Sequence, residues 1–282
     1  MAVAHVTIRD ANMSYHEYGS GYPLVFVHSF LWDSHVWDRQ ITYFSKRYRC
    51  IALDLWGHGE SDTRTEREIP IEVITQDVWA FLQTLGIESC IFAGLSLGGM
   101  IGMRLAHQHP EFFKGMLIFD SYLGAESEEK KQEYFPMIAA VEESEFFAPE
   151  FVQMIARYFF SATTYTTQPD LVTDFERRLA SIPFLRVPTV TAVGRGVYGR
   201  PSFLEELKEI KVPTLYLSGE DDVPRPMHES KEMAAITPGA SYISIPDGGY
   251  VACLEQGAFV NKQIEPFIER VLGVRGQGKD VA

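Results

Sequence analysis

The residues most suggestive of chemistry are a serine between two glycines, in the run Gly94-Leu95-Ser96-Leu97-Gly98. An apolar, strand-like run ends just before this serine, and an apolar, helix-like run follows it. On a sharp turn between a strand and a helix, a serine hydroxyl is pushed out as a nucleophile. Glycines are needed beside it because a side chain there would clash with the neighbouring strand and helix. The spacing therefore predicts nucleophilic catalysis at Ser96.

The elements that would carry this turn alternate between short apolar runs and longer amphipathic ones. That alternation predicts an α/β fold with a mostly parallel sheet joined by crossover helices. The first two strands are expected to form an antiparallel hairpin at the edge. The eight predicted strands are 3–8, 13–18, 24–27, 50–53, 90–93, 116–119, 214–217 and 242–245. The predicted helices of this part of the chain are 36–44, 71–85, 97–107 and 257–272.

The alternation of strands and helices stops between residues 122 and 211. Amphipathic segments occur there without a comparable strand, for example 151–160 and 171–179. This stretch is too long and too periodic for a loop. We therefore expect a core of residues 1–121 and 212–282 and a helical cap of residues 122–211. A cap at the carboxyl ends of the strands would enclose a pocket. The tail, 273–282, is expected to be frayed.

Composition excludes several classes of protein. The chain has 282 residues, of which 46% are hydrophobic and 22% charged, as in an ordinary globular protein. Its 25 Lys and Arg against 38 Asp and Glu give a net charge of −13, which argues against nucleic acid as a partner. No run of about 18 apolar residues and no signal peptide pattern occurs, so we expect no membrane partner and a cytoplasmic location.

Metal ions and cofactors are not expected. Cys50, Cys90 and Cys253 are far apart, fit no zinc-ligand spacing and are expected to be reduced core residues. No phosphate-binding or dinucleotide-binding glycine motif occurs. The expected partner is a small-molecule substrate, and a homodimer is left open. Aromatic residues in the cap suggest that this substrate is apolar or aromatic; they include Phe135, Phe146, Phe147, Tyr158, Phe159 and Tyr165.

With this turn and these elements, the chain resembles the α/β-hydrolase superfamily over nearly its whole length. The stretch Val27-His28-Ser29-Phe30 is similar to the family's strand ending in His-Gly-x, with Ser29 in place of the usual glycine. The resemblance implies an oxyanion hole formed by the backbone N–H groups of Phe30 and Leu97. It also suggests that the substrate is contacted by His28, Ser29 and Trp32.

Two further stretches match the family's pattern. The turn of residues 54–61 resembles its Asp-x-x-Gly-x-Gly-x-Ser motif, in which Asp54 and His58 are expected to be structural. The run from Gly219 to Asp222 resembles the late strand that carries the catalytic acid. The resemblance therefore favours Asp222 as the acid. Asp120 is the alternative, because some relatives place the acid after the preceding strand.

The resemblance breaks at Tyr250, in the run Asp247-Gly248-Gly249-Tyr250. The family carries its general base, a histidine, at this point. Tyrosine has an ordinary pKa near 10 and is only about 0.1% ionised at pH 7, so Tyr250 cannot serve as that base. We expect it to be a neutral hydrogen-bond donor that is anchored by Asp222 and points toward Ser96 or a ligand oxygen.

The resulting hypothesis is an enzyme that acts on a small ester, lactone or carbonyl compound through Ser96, the oxyanion hole, Asp222 and Tyr250. Hydrolysis would be impaired, or the chemistry would be a cyclisation, a decarboxylation or a carbon–carbon cleavage that needs charge stabilisation. One alternative is a ligand-binding protein of the same fold without activity. The other is an ordinary esterase in which a histidine at position 250 was deliberately replaced by tyrosine.

Overall fold

One eight-stranded sheet crosses the whole protein in the computed structural model, which describes residues 3–274. The strands lie in the order β1-β2-β4-β3-β5-β6-β7-β8. Their bounds are Ala4–Ile8 (β1), Ala11–Tyr18 (β2), Pro23–Val27 (β3), Arg49–Leu53 (β4), Cys90–Leu95 (β5), Phe113–Phe119 (β6), Thr214–Gly219 (β7) and Ser241–Ile245 (β8). All eight predicted strands are present.

Strand β2 runs antiparallel to its neighbours β1 and β4, and the remaining pairs are parallel. The edge hairpin and the mostly parallel sheet are therefore confirmed. Strand β5 is buried along its whole length, as expected of a central parallel strand that is covered on both faces. The cysteines Cys50, Cys90 and Cys253 are free and buried, as predicted.

Helices cover both faces of the sheet. Their bounds are Asp38–Phe44 (α1), Ile71–Thr84 (α2), Leu97–Gln108 (α3), Glu128–Ser144 (α4), Pro149–Phe159 (α5), Ala162–Thr167 (α6), Pro169–Ala180 (α7), Val187–Gly199 (α8), Met227–Ile236 (α9), Ala252–Glu255 (α10) and Gly257–Leu272 (α11). The predicted helices 71–85, 97–107 and 257–272 correspond to α2, α3 and α11. The predicted helix 36–44 begins instead as a short 3-10 turn, Ser34–Trp37, and becomes α-helical at Asp38.

The five helices α4–α8 lie between β6 and β7 in the chain, within the stretch that is predicted to be a cap, and are called the cap below. The amphipathic segments predicted at 151–160 and 171–179 correspond to α5 and α7. Helix α8 reaches the core, because a Cβ atom at Gly194 would lie 2.8 Å from the ring of Phe30. The division into a core of 1–121 and 212–282 and a cap of 122–211 stays a prediction, and most of the tail expected to be frayed lies outside the described residues.

The register of the parallel strands brings four loops to one edge of the sheet. Val27 of β3 pairs with Gly94 of β5, and Leu95 of β5 pairs with Phe119 of β6. The carboxyl ends of β3, β5, β6 and β7 therefore meet, which is where ligands bind in sheets of this kind. None of the helices in residues 3–274 is long and apolar enough to span a membrane.

Candidate active site

Ser96 occupies a strained turn between β5 and α3. Its φ of 46° and ψ of −104° lie in a region that residues other than glycine rarely adopt. The flanking glycines permit the turn, since a Cβ atom at Gly98 would lie 2.1 Å from the carbonyl oxygen of Val27. At Gly94 it would lie 2.3 Å from Gly98. The predicted clash with the neighbouring strand and helix is therefore present.

Two backbone N–H groups near Ser96 have no acceptor within the described residues and are predicted to bind an oxyanion. Leu97 is the first residue of α3, so its N–H has no partner within the helix. The N–H of Phe30 also donates to no acceptor in residues 3–274. The loop that carries Phe30 is fixed at Leu31, which has a φ of 65° and donates its N–H to Nε2 of His58 at 3.2 Å.

His28 bonds to backbone through both ring nitrogens, and its contact with substrate stays a prediction. It is fully buried, and its Nε2 accepts the N–H of Leu55 at 2.8 Å. Nδ1 must then carry the proton that is donated to the carbonyl oxygen of Ser29 at 2.7 Å. Burial lowers the pKa of His28. Both ring nitrogens are occupied, so His28 has none to offer to a ligand or to Ser96.

His58 and Asp54 also hold backbone, in line with their predicted structural roles. His58 donates Nδ1–H to the carbonyl oxygen of Trp56 at 2.8 Å, and burial lowers its pKa to about 3. Asp54 accepts the N–H of Ser34 and the hydroxyl of Ser14, both at 2.8 Å. Neither residue is available as a general base.

Trp32 does not line the chamber in front of Ser96, and its contact with substrate stays a prediction. Its ring stacks on Phe175 of α7 with centroids 4.8 Å apart. It faces a separate polar groove that is also lined by Asp33, Arg178 and Arg186. Ser29 is fully buried and donates its hydroxyl to the carbonyl oxygen of Phe30 at 3.1 Å.

Tyr250 lies beside Ser96 and is almost completely buried. Its hydroxyl interacts with the side chains of Ser29 and Ser96, and Asp222 acts on it through charge alone. The expectation that Asp222 anchors the hydroxyl is therefore not met. Burial raises the pKa of Tyr250 to about 12, although the two serines and the charge of Arg225 act in the opposite direction. The phenol is protonated at neutral pH.

Asp222 and Asp120, the two candidates for the catalytic acid, lie against each other. Asp222 Oδ1 accepts the N–H of Arg225 at 2.9 Å, and Asp120 Oδ1 accepts the N–H of Gly219 at 2.8 Å. The second oxygen of each is buried with no other donor in the described chain, and the two carboxyl groups bond to each other. Burial raises the pKa of Asp222 to about 8 and that of Asp120 well above its ordinary value.

Arg225 lies at the site although no sequence motif marks it. It follows β7, is almost fully buried and lines the same chamber as Ser96 and Tyr250. Its guanidinium group contacts Glu126, and it lies 3.4 Å from the carboxylate of Glu229 in α9. Its partner Glu126 lies 99 residues away in sequence, whereas Glu229 lies only four residues away. A buried arginine near the acid is visible only once the fold is known.

Two neighbouring cavities share part of their lining, and the inner one includes Ser96. The inner chamber is lined by Ser96, Met100, Arg225 and Tyr250 together with aromatic cap residues. The outer cavity lies among apolar side chains of α4 and α5. Both are lined by Phe30, Tyr134, Phe159, Tyr198 and Pro224. The arrangement can hold a small molecule with an apolar body and present its carbonyl to Ser96. Within residues 3–274 no group of three or more potential metal ligands occurs.

The chain is similar to known proteins in sequence and in fold. Over 259 residues, the chain is 27% identical to the AB hydrolase superfamily protein YisY of Bacillus subtilis, covering 88% of this chain and 92% of that one. The structure of Est816, described as an N-acyl homoserine lactone degrading enzyme, is 27% identical, with a TM-score of 0.78 and 94% and 100% of the two chains covered.

A thermophilic esterase from Thermogutta terrifontis is similar in fold, with a TM-score of 0.87, 24% identity and 96% and 99% coverage of the two chains. The family model for the alpha/beta hydrolase fold matches residues 22–256 of this chain. With its sheet order, its strained serine turn and this match, the chain belongs to the α/β-hydrolase family.

Proposed function

We propose that this protein is an enzyme for a small organic ester, lactone or related carbonyl compound, in which Tyr250 takes the place of a general base. The observation that carries the proposal is the contact of a protonated phenol with the hydroxyl of Ser96 in the inner chamber. The substrate carbonyl would be held between Ser96, Tyr250 and the N–H groups of Phe30 and Leu97.

Three donors would then converge on the carbonyl oxygen: two backbone N–H groups and the phenol. Donors fixed in a site without bulk water stabilise developing negative charge strongly, and removal of one typically costs about a hundredfold to a thousandfold in rate. Such a site favours reactions that pass through an oxyanion or enolate.

Ordinary hydrolysis would be weak. Removing the histidine of a serine hydrolase typically loses about a millionfold in turnover, and roughly a thousandfold over water remains from the oxyanion hole and binding. Tyr250 cannot accept the proton of Ser96 at neutral pH, and His28 and His58 have no free nitrogen. Non-hydrolytic chemistry, such as cyclisation, decarboxylation or carbon–carbon cleavage, is the reaction class that such a site serves best.

The substrate would be small and largely apolar. The outer cavity is lined by Phe147, Phe151 and Met154 and similar side chains, which offer little to a polar ligand. Similarity to a lactone-degrading enzyme and to an esterase supports a carbonyl compound as substrate.

The proposal is tested by intact-mass detection of fluorophosphonate labelling. The protein as it stands should label slowly, Tyr250→His should label rapidly, and the double variant Ser96→Ala, Tyr250→His should not label. Tyr198→Phe is the matched control, since Tyr198 lines the same chamber without contacting Ser96 in the hydrogen-bond network. Rapid labelling of the unchanged protein at Ser96 would overturn the proposal, because the serine would then be activated despite Tyr250.

A ligand-binding protein without activity is the second candidate, favoured by the absence of a free histidine nitrogen near Ser96 among the described residues. It predicts that a ligand raises the melting temperature. It also predicts no turnover of that ligand and no loss of binding in Ser96→Ala.

A further inference from the structure

Among the described residues that line the inner chamber, Arg225 is the one with a charged side chain. It belongs to a buried network in which Glu126 contacts both Arg225 and Arg200, the latter at 2.8 Å. Glu229 contacts Arg225 at 3.4 Å and Lys130 at 3.6 Å. The network joins the cap to the core across the chamber.

In this network the cationic side chains outnumber the carboxylates by one. Three cationic side chains, those of Arg200, Arg225 and Lys130, share two carboxylates. Burial raises the pKa values of the nearby acids Asp120 and Asp222, which favours their neutral forms. Lys130 is partly exposed, whereas Arg225 is almost completely buried, so a bound anion would stabilise the charge of Arg225 most.

Arg225 also has N–H donors without an acceptor in residues 3–274. A guanidinium group has five N–H donors, and two of those of Arg225 have acceptors in residues 3–274, namely Glu126 and Glu229. Its Nε–H has none there. Arg225 also acts through its charge on the phenols of Tyr250, Tyr198 and Tyr134, so it faces the part of the chamber where substrate would react.

We propose that Arg225 is the anion-binding residue of the chamber and that the protein selects small carbonyl substrates that carry a carboxylate. A planar guanidinium group matches a carboxylate in two parallel hydrogen bonds, whereas a neutral amide cannot supply the missing charge. The inference rests on the proposed function for the position of the reacting carbonyl, and it adds the class of substrate. The apolar body of the substrate would extend into the outer cavity.

The test compares carboxylates with their neutral amides. Binding of phenylacetate, phenylpropanoate and phenylbutanoate, and of the three corresponding primary amides, is measured by calorimetry on the unchanged protein, on Arg225→Met and on Arg200→Met. Arg200 is the matched control, because it bonds the same Glu126 but does not line the chamber. Both variants remove one cation from the network.

The unchanged protein and Arg200→Met should bind at least one carboxylate about tenfold or more tightly than its amide, and Arg225→Met should bind the two alike. Glu229→Gln should strengthen carboxylate binding and leave amide binding unchanged, which keeps the test decisive if Arg225→Met does not fold.

Equal binding of acid and amide by the unchanged protein would overturn the proposal, as would a preference that survives in Arg225→Met or a failure of all three acids to bind. The proposed function is read separately, from the gain of Ser96-dependent hydrolysis of neutral p-nitrophenyl acetate in Tyr250→His. That reaction requires no anion site, so either claim can fail without the other.

Discussion

The backbone N–H of Tyr250 donates to the carbonyl oxygen of Phe159 at 2.9 Å, and the two rings pack with centroids 4.5 Å apart. Phe159 is the last residue of α5 in the cap, whereas Tyr250 lies in the loop that follows β8 in the core. The cap therefore fixes the position of the residue that faces Ser96. Movement of the cap would move the phenol, so we expect binding and chemistry to be coupled through this contact.

The first prediction concerns Glu255, whose buried carboxylate joins the Tyr250 loop to the cap. It accepts the N–H of Gly249 at 2.7 Å and that of Ser161 at 2.9 Å, together with the hydroxyl of Thr164 at 2.5 Å. Glu255→Ala should lower the free energy of unfolding by about 3 kcal/mol or more, because each buried donor without a partner costs about 1–3 kcal/mol. Urea denaturation measures this loss.

Glu255→Gln keeps one acceptor oxygen and should lose less. The exposed Glu111→Ala is the control and should change stability by less than about 0.5 kcal/mol. A loss in Glu255→Ala no greater than in the control would mean that the loop is held by other contacts.

The second prediction concerns the glycines around Ser96. A Cβ atom at Gly98 would meet the backbone of β3 at 2.1 Å, so Gly98→Ala should destabilise the protein by at least about 2 kcal/mol or prevent folding. Gly199 is the matched control, since a Cβ atom there would meet nothing closer than 3.8 Å. Melting temperatures of the two variants are compared, and similar values for both would contradict the account of the turn.

Much of the fold could be predicted from the sequence because central parallel strands are short, apolar and bounded by turn residues. All eight strands were located in this way. The start of α1 was missed by two residues because Asp33 accepts the N–H of His35 and closes a 3-10 turn first. Helices α4 and α8 were not predicted individually. Helix α4 contains Pro136 and has weak periodicity, and α8 contains Gly194 and Gly196.

The site was only partly predictable. Motifs identified Ser96 and the two acids, since the chain keeps the spacing of their turns. The burial of His28 and the orientation of Trp32 toward a different groove depend on contacts with Leu55 and Phe175, which are far away in sequence. Arg225 lies beside a motif but belongs to none, so its presence in the chamber follows from the packing of the cap against the core.

The third prediction concerns the phenol of Tyr250. Tyr250→Phe removes one of the proposed donors to the carbonyl oxygen, so turnover of a carbonyl substrate should fall by about a hundredfold or more. Tyr198→Phe removes a hydroxyl from the same chamber without removing a donor near Ser96, and it should retain turnover within about threefold. The turnover of the two variants is compared in kinetic assays on one substrate. Equal activities would show that the Tyr250 hydroxyl has no part in the reaction.

The fourth prediction concerns the carboxyl pair and pH. An unfolded aspartic acid has a pKa near 3.9, whereas that of Asp120 is raised well above this in the folded protein. Above about pH 4 the folded state therefore holds a proton that the unfolded state has lost. The stability contributed by protonation is complete below that pH and is lost as the pH rises toward the folded pKa, by up to about 1.4 kcal/mol per pH unit.

Asp120→Asn keeps the acceptor for Gly219 and a donor toward Asp222 but cannot titrate. Its free energy of unfolding should therefore rise relative to that of the unchanged protein between pH 5 and pH 8, as measured by urea denaturation at each pH. Asp170→Asn, on the surface of α7, controls for the loss of one charge. Parallel pH curves for Asp120→Asn and the unchanged protein would contradict the raised pKa of the pair.

The central claim is that Tyr250 leaves Ser96 without a base in an otherwise intact nucleophile turn. Its most direct test is the rate of hydrolysis of p-nitrophenyl acetate by the unchanged protein, by Tyr250→His and by the double variant Ser96→Ala, Tyr250→His. We expect Tyr250→His to gain at least about a hundredfold, the usual scale of a general base, and the double variant to lose that gain. Hydrolysis by the unchanged protein as fast as by Tyr250→His, and dependent on Ser96, would contradict the claim.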